Sequence, residues 1–303
     1  MAKLLSGAPV SQALSRCISA GVELLRERDV VPTMGIVRVG ARPEDMAYES
    51  GATKRAQALG VAVSRTLLPE DVSAHELKRG LEDVNRSAHI HGCLLFRPLP
   101  QRLNVPEVLG ILRPEKDIDA MTSSSMGGLM TQNAAAFPPC TATACLELLR
   151  HYQVELMGKN VVIVGTGVTV GMPTAVLLMN LGATVSACNI FTDPERLKEL
   201  CRRADIIISA AGKAGLIGRE HVSPGQIVVD VGVSPGPDGK LRGDVDFEQV
   251  EPVVAALTPV PGGVGAVTST VLSAHTVEEE TLDRLICKEL LQTKRMYEDN
   301  WNA

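Results

Sequence analysis

The sequence predicts an α/β protein of two domains, each built on a mainly parallel sheet covered by helices, the second of them doubly wound. Three observations predict it. Helix-like and strand-like segments alternate along most of the chain, the rhythm stops near residue 145 and restarts at 159, and the apolar run NVVIV (160–164) leads directly into GTGVTVGMP (165–173). A length of 303 residues is enough for two cores of ordinary size. The expected division is 1–144 and 145–271, with 272–303 returning to pack on the first domain.

Residues 10–26 carry apolar side chains at three- and four-residue spacings and read as a helix. TMGIVRVG (33–40) is a strand, 43–59 a helix opened by Pro43, VAVSRTLL (61–68) a strand, 74–85 a helix and IHGCLLF (90–96) a strand. In the second half NVVIVG (160–165) is a strand, GMPTAVLLMNLG (171–182) a helix, TVSACNI (184–190) a strand and PERLKELCRRA (194–204) a helix. DIIISAAG (205–212) and QIVVDVGV (226–233) complete the set as strands. Val and Ile runs without polar alternation indicate strands buried on both faces. In such a sheet the ligand lies at the carboxyl edge. VLSAHTVEEETLDRLICKELLQTKRMYED (271–299) reads as one long amphipathic helix, and the Pro/Gly clusters RPLPQ, SPGPDG and PVPGGVG read as loops.

Composition excludes several functions. A net charge of −5 with 3% aromatic residues and one Trp offers neither a basic field nor stacking platforms for nucleic acid. No apolar stretch approaches the roughly 20 residues of a membrane span. MAKLLSGAPVSQALSR has the character of neither a secretory nor a transit segment, so a cytoplasmic protein is expected. Seven cysteines, Cys17, Cys93, Cys140, Cys145, Cys188, Cys201 and Cys287, without any C-x-x-C and mostly within apolar runs, read as free thiols, not disulfides or zinc ligands. His89 and His91 alternate as strand-edge residues do, and no metal is expected.

Gly165, Thr166 and Gly167 end a strand and Gly171 opens a helix, so backbone N–H groups there face outward at the positive end of a helix, an arrangement suited to a pyrophosphate. The spacing is G-x-G-x-x-x-G, not the usual G-x-G-x-x-G, and the loop holds no Lys or Arg. TPVPGGVG (258–265) is either a tight turn or a stiffened approach to a flat ligand. Asp117 and Asp119 in PEKDIDAM stand two apart, and would point to one side of an extended segment as an acidic grip, or else belong to a solvated loop. Tyr48 alone reads as a packing residue with a wet hydroxyl.

VGARPEDMAYESGATKRAQALG (39–60), GCLLFRPLP (92–100), PEKDIDAM (114–121), FPPCTAT (137–143), GTGVTVGMP, GDVDF (243–247) and TPVPGGVG together resemble the methylenetetrahydrofolate dehydrogenase/cyclohydrolase family over nearly the whole chain. The resemblance implies a folate-binding α/β domain facing a Rossmann-type domain across a cleft, a tetrahydrofolate substrate and a nicotinamide cofactor. It also implies a homodimer formed through the Rossmann domains. It assigns Tyr48 to the face of the folate ring system, Asp119 to the pterin anchor, and Leu95, Phe96, Arg97, Pro261, Gly262, Gly263, Val264 and Gly265 to the folate site. Thr141, Gly165, Thr166, Gly167, Gly171, Asn189, Ile190, Val233 and Thr268 fall at cofactor positions.

Two departures from the family pattern stand out. The family's Y-x-x-x-K supplies the acid/base of the cyclohydrolase step, and that lysine is Ala52 here; Lys54, two residues on, is turned about 200° around the helix. The supporting glutamine of V-Q-L-P-L-P is Phe96, with Arg97 beside it. Hydride transfer needs positioning, whereas hydrolysis needs a proton shuttle. A dehydrogenase without cyclohydrolase activity is therefore expected, served by a separate cyclohydrolase or docked reductase. The alternatives are a bifunctional protein using Lys54 or Arg97, and an idle folate- and NAD-binding subunit. NADP-using relatives carry G-R-S at the loop and H-S-K after the next strand, where this chain has Gly165-Thr166-Gly167 and Asn189-Ile190-Phe191. NAD is expected over NADP, with Asn189 or Asp193 meeting the ribose hydroxyls.

Overall fold

The computed structural model describes residues 1–103, 106–132, 137–236 and 239–281. In chain order the elements begin with β1 (Lys3–Leu4), α1 (Gly7–Arg26), β2 (Thr33–Val39), α2 (Pro43–Ala58), β3 (Ala62–Leu68), α3 (Ala74–Arg86) and β4 (Gly92–Leu95). The short helices α4 (Pro106–Leu109) and α5 (Ser123–Thr131) follow, then α6 (Cys140–His151), β5 (Asn160–Val164), α7 (Gly171–Asn180), β6 (Thr184–Cys188) and α8 (Pro194–Arg203). Next come β7 (Ile206–Ser209), β8 (Ile227–Asp230), the hairpin strands β9 (Ser234–Pro235) and β10 (Leu241–Arg242), α9 (Phe247–Val250), β11 (Ala256–Leu257) and α10 (Gly265–Thr281).

These elements form two compact units. Of the described residues, the first unit takes 12–140 and 269–281, and the second takes 1–11 and 141–268. The expected division at 1–144 differs at the N-terminus, where Lys3 and Leu4 pair in parallel with Ala256 and Leu257 and so extend the second unit's sheet. A two-residue strand has no periodicity to read, and its partner lies near the other end of the chain. Residues 282–303, expected to continue the C-terminal helix, lie outside the described residues.

The first unit holds a parallel sheet in the order β3-β2-β4. Central β2 is almost wholly buried while edge strand β3 is partly open, which accounts for the polar residues of SRTLL. Helix α3 starts on a capping box: Ser73 Oγ accepts the Glu76 N–H at 3.2 Å, and the Ser73 N–H donates to Glu76 Oε2 at 3.0 Å. It then buries Leu77, Leu81 and Val84 against Val37, Val39 and Leu95 of the sheet.

Helix α2 is tied to the sheet by charge. Arg38 Nε on β2 donates to Glu49 Oε2 at 2.7 Å, Arg65 Nε on β3 donates to Glu49 Oε1 at 2.9 Å, and Arg65 Nη2 donates to Thr53 Oγ1 at 3.1 Å. Arg38 and Glu49 are both buried. Because Glu49 adjoins Tyr48, this network sets the rotation of α2 and thereby the face that carries Tyr48 and Ala52.

The second unit is a six-stranded sheet in the order β1-β11-β8-β7-β5-β6, parallel throughout. The chain leaves β5 for β6 on one side and crosses back to β7 on the other, so the topological switch point falls between β5 and β7. The Val and Ile runs of β5, β7 and β8 lie in its core, whereas edge strand β6 is half-covered.

Removing one partner of a buried pair leaves the other charge uncompensated. Glu49→Gln is expected to lower the unfolding free energy by about 3 kcal/mol in urea titration, and Arg38→Met combined with Glu49→Leu to recover most of that loss.

Candidate active site

At the switch point the chain leaves room for backbone alone. Gly165 ends β5 at φ +99°, and a Cβ there would lie 2.4 Å from the carbonyl oxygen of Ala210, at the end of β7. Gly171 opens α7, where a Cβ would lie 1.8 Å from the carbonyl oxygen of Gly165. Gly167 is different: a Cβ would meet nothing within 4 Å, so nothing in the protein demands glycine there and the loop lies open outward. The result is a side-chain-free turn at a helix N-terminus, a place whose dipole and close backbone approach fit a pyrophosphate.

Beside it, the turn after β6 presents Ile190 at 91% and Phe191 at 87% exposure. Asn189 Oδ1 accepts the Phe191 N–H at 3.0 Å, and Asp193 Oδ1 caps α8 by accepting the Glu195 and Arg196 N–H groups, each at 3.0 Å. Turn 189–193 contains no Lys or Arg, and Arg196 pairs with Glu199 at 2.7 Å. Of the other expected cofactor residues, Val233 is exposed just past β8 and Thr141 is half-buried in the first turn of α6, while Thr268 is buried and donates back to the Val264 carbonyl at 3.4 Å.

The loop 261–265 enters α10 with Pro261, Gly262 and Gly265 exposed and Gly263 and Val264 buried. The Gly7 N–H donates to the Gly262 carbonyl at 2.8 Å, pinning this loop from the start of α1.

Two residues of the second unit escape the sequence reading. Asp230 ends β8 and accepts the N–H groups of Gly232, Asp244 and Val245 at 2.9–3.1 Å. Asp244 accepts from Ala211, Gly212 and Lys213 N–H and from Ser209 Oγ at 2.6–3.3 Å. Both carboxylates are buried, and together they tie the carboxyl ends of β7 and β8 to the loop before α9. GDVDF and VDVGV contain them, but one sequence does not show that two segments meet. Burial pushes the Asp230 carboxyl up to about 7, against its three N–H donors and with the charge of Asp244 adding to the rise.

The first unit gathers Tyr48, Phe96, Arg97 and Asp119. The rings of Tyr48 and Phe96 meet edge to face at 5.7 Å, and Arg97 Nη2 lies 3.7 Å from Asp119 Oδ2. The Cys140 N–H donates to Asp119 Oδ1 at 3.1 Å. Burial pushes the Asp119 carboxyl up, opposed chiefly by the Arg97 guanidinium. Burial and then the Asp119 charge push the Tyr48 hydroxyl well above the usual phenol range, so it stays a neutral donor. Tyr48 nonetheless keeps 42% of its surface open.

Ala52 is 2% exposed. Lys54 instead lines a hollow of about 420 Å³ with Arg38, Glu49, Ser50, Thr53 and Arg65, as its angular offset on α2 requires. Leu95, expected at the substrate, lies in the core with Val37 and Leu77, because β4 is buried on both faces.

The two aspartates of PEKDIDAM do not act as a pair. Asp117 is fully buried and accepts the Met121 and Thr122 N–H groups at 2.9 and 2.8 Å and the Ser125 hydroxyl at 2.6 Å, fastening the start of α5. The Ala120 N–H donates to the Asp117 carbonyl at 3.1 Å, closing a turn across Ile118 and Asp119, so this is not the extended stretch that would align both side chains. His91 Nδ1 accepts the Thr33 N–H at 2.9 Å and His89 is exposed. Among the described residues, no group of three or more His, Cys, Asp or Glu could hold a metal ion, and no helix is long and apolar enough to cross a membrane.

A glycine turn at the switch point of one sheet, with an aromatic and carboxylate cluster on the other unit, fits a two-domain dinucleotide-dependent oxidoreductase. Family profiles agree: residues 5–119 match the tetrahydrofolate dehydrogenase/cyclohydrolase catalytic domain and residues 139–284 match the NAD(P)-binding domain of that family. The bifunctional protein FolD of Carboxydothermus hydrogenoformans is 41% identical over 289 residues, covering 94% of this chain and all of the relative. The crystal structure of the bifunctional FolD of Campylobacter jejuni superposes with a TM-score of 0.90 at 33% identity, over 93% of this chain and 99% of that one. FolD of Trypanosoma brucei, solved with NADP and an inhibitor, gives 0.87 at 33% identity over 93% and 98%. The chain belongs to the tetrahydrofolate dehydrogenase/cyclohydrolase family, and it is an NAD(P)-dependent oxidoreductase.

In ¹³C NMR the Asp230 carboxyl is expected to titrate with a midpoint near pH 7 and not near 4. The folded protein then keeps a proton that the unfolded chain releases above about pH 4. This group's contribution to stability accordingly falls as pH rises from about 4 to about 7 and is constant above.

Proposed function

We propose that the chain oxidises methylene-tetrahydrofolate to methenyl-tetrahydrofolate, that NAD is its preferred hydride acceptor, and that it does not hydrolyse the product. The observation that carries this reading is that the Tyr48–Phe96 and Arg97–Asp119 contacts are present while the position of the lysine is a buried Ala52 and Lys54 lines a hollow with Arg38 and Glu49.

Bound NAD(P) supplies the hydride acceptor. The residues of the chain have only to hold the folate: the Asp119 carboxyl offers acceptors to pterin N–H groups, and Tyr48 offers a ring face and a neutral hydroxyl. Neither has to move a proton for hydride transfer. Hydrolysis differs, because water must lose a proton and a ring nitrogen must gain one, and a positioned acid/base contributes about 10²–10⁴-fold. Ala52 has no titratable group, Phe96 has no polar atom, and Arg97 cannot give up its proton.

The names of the relatives weigh the other way and favour a second, bifunctional reading. On that reading Lys54, in its hollow on α2, or Arg97, beside Asp119, takes the place of the lysine. Following methenyl-tetrahydrofolate absorbance with purified protein separates the two. Decay at the buffer rate is expected; decay that depends on the protein would establish the bifunctional reading instead.

The cation-free turn 189–193 and loop 165–167 support NAD, since a ribose phosphate would lack charge-assisted bonds worth about 1.5–3 kcal/mol each. The NADP bound to the Trypanosoma brucei relative is the contrary consideration. Thr166→Arg with Ile190→Ser is expected to raise the NADP-to-NAD ratio of kcat/KM at least about tenfold, and an unchanged ratio counts against the preference. We further propose a cytoplasmic homodimer formed through the second unit, where β6 leaves a sheet edge to pair with. Sedimentation at twice the monomer mass is the expected result.

A further inference from the structure

We infer that His275 is a positioning residue that holds Asp119 in place for the folate. The inference rests on the reading of Asp119 as the folate anchor and extends it to a residue on α10. His275 Nδ1 lies 2.8 Å from the carbonyl oxygen of Ile118, the residue before Asp119, so Nδ1 carries the proton and donates. The ring is 1% exposed and stacks on Phe137 at 4.7 Å and 27°, which fixes its plane. The same carbonyl accepts the Cys140 thiol at 3.0 Å, and the Cys140 N–H donates to the Asp119 side chain.

The peptide between Ile118 and Asp119 is therefore gripped at its carbonyl by two donors. On the other side of Asp119 the backbone turns through Ala120 at φ +48°, a conformation that a non-glycine residue keeps only where its surroundings impose it. Asp117, one residue before Ile118, is locked by its three donors. Between these fixed points the peptide that carries Asp119 is held through the Ile118 carbonyl, which His275 reaches from α10 and the Cys140 thiol from the start of α6.

Dehydrogenase kinetics test the inference. His275→Phe keeps a stacking ring without a donor, His275→Leu loses both, and His275→Asn restores a donor at similar reach from the backbone. KM for methylene-tetrahydrofolate is expected to rise about tenfold in the two donor-less variants and to stay within about threefold of the starting protein in His275→Asn, with kcat and the KM for NAD little changed. In an Asp119→Asn background, His275→Phe should add less than about twofold, because it acts through Asp119. An unchanged folate KM in a folded donor-less variant, or a full tenfold addition in that background, overturns the inference.

Two controls separate its failure from that of the anchor reading. If Asp119→Asn alone leaves the folate KM unchanged, both fall; if it raises KM while His275→Phe does not, only the role of His275 falls. Nitrogen-15 NMR of the unaltered protein gives a measurement that needs no variant to fold: the Nδ1–H tautomer of a neutral His275 is expected, and the Nε2–H tautomer would overturn the inference.

Discussion

A carboxylate removed from water has to collect donors, and four such groups organise this protein. Glu49 takes two arginines, Asp117 takes two N–H groups and a hydroxyl, and Asp230 and Asp244 draw on the backbone of the loops around them. Except for Glu49, the donors come mainly from irregular segments. Each of these three thus converts a loop, ordinarily the softest part of an α/β fold, into a fixed piece. Asp119 is built differently: it accepts one N–H and lies 3.7 Å from a guanidinium, which leaves it capacity for an outside donor.

The two units are built by different means. At the switch point of the second, Gly165 and Gly171 are packed so closely against neighbouring backbone that no side chain fits. The first unit uses side chains whose protonation is shaped by burial: a phenol held neutral and a carboxyl pushed up. A neutral hydroxyl, and a carboxyl pushed towards its neutral form, can each both donate and accept a hydrogen bond.

The cysteines fit this economy of reactive groups. Among the described residues five of the six free thiols are buried, and burial pushes those of Cys93, Cys145 and Cys201 up to about 12, where the nucleophilic thiolate is scarce. Cys140, next to Asp119, acts through its N–H and its thiol proton as a donor.

By itself the sequence determined the alternation of strand and helix, because Val and Ile runs bounded by glycine and capped, periodic helices are local signals. β5, α7, β7 and α8 all lie where those signals place them. Gly165 and Gly171 were legible for the same reason, one at the end of an apolar run and the other at the start of a helix. Only the tertiary structure decided that Lys3 and Leu4 join the far sheet, that Leu95 faces the core, and that Asp117 and Asp119 have unrelated tasks. It alone revealed the meeting of Asp230 with Asp244 and of His275 with Ile118. These are contacts between segments distant along the chain or reversals of chain direction within one, and neither leaves a periodic trace in the order of the residues.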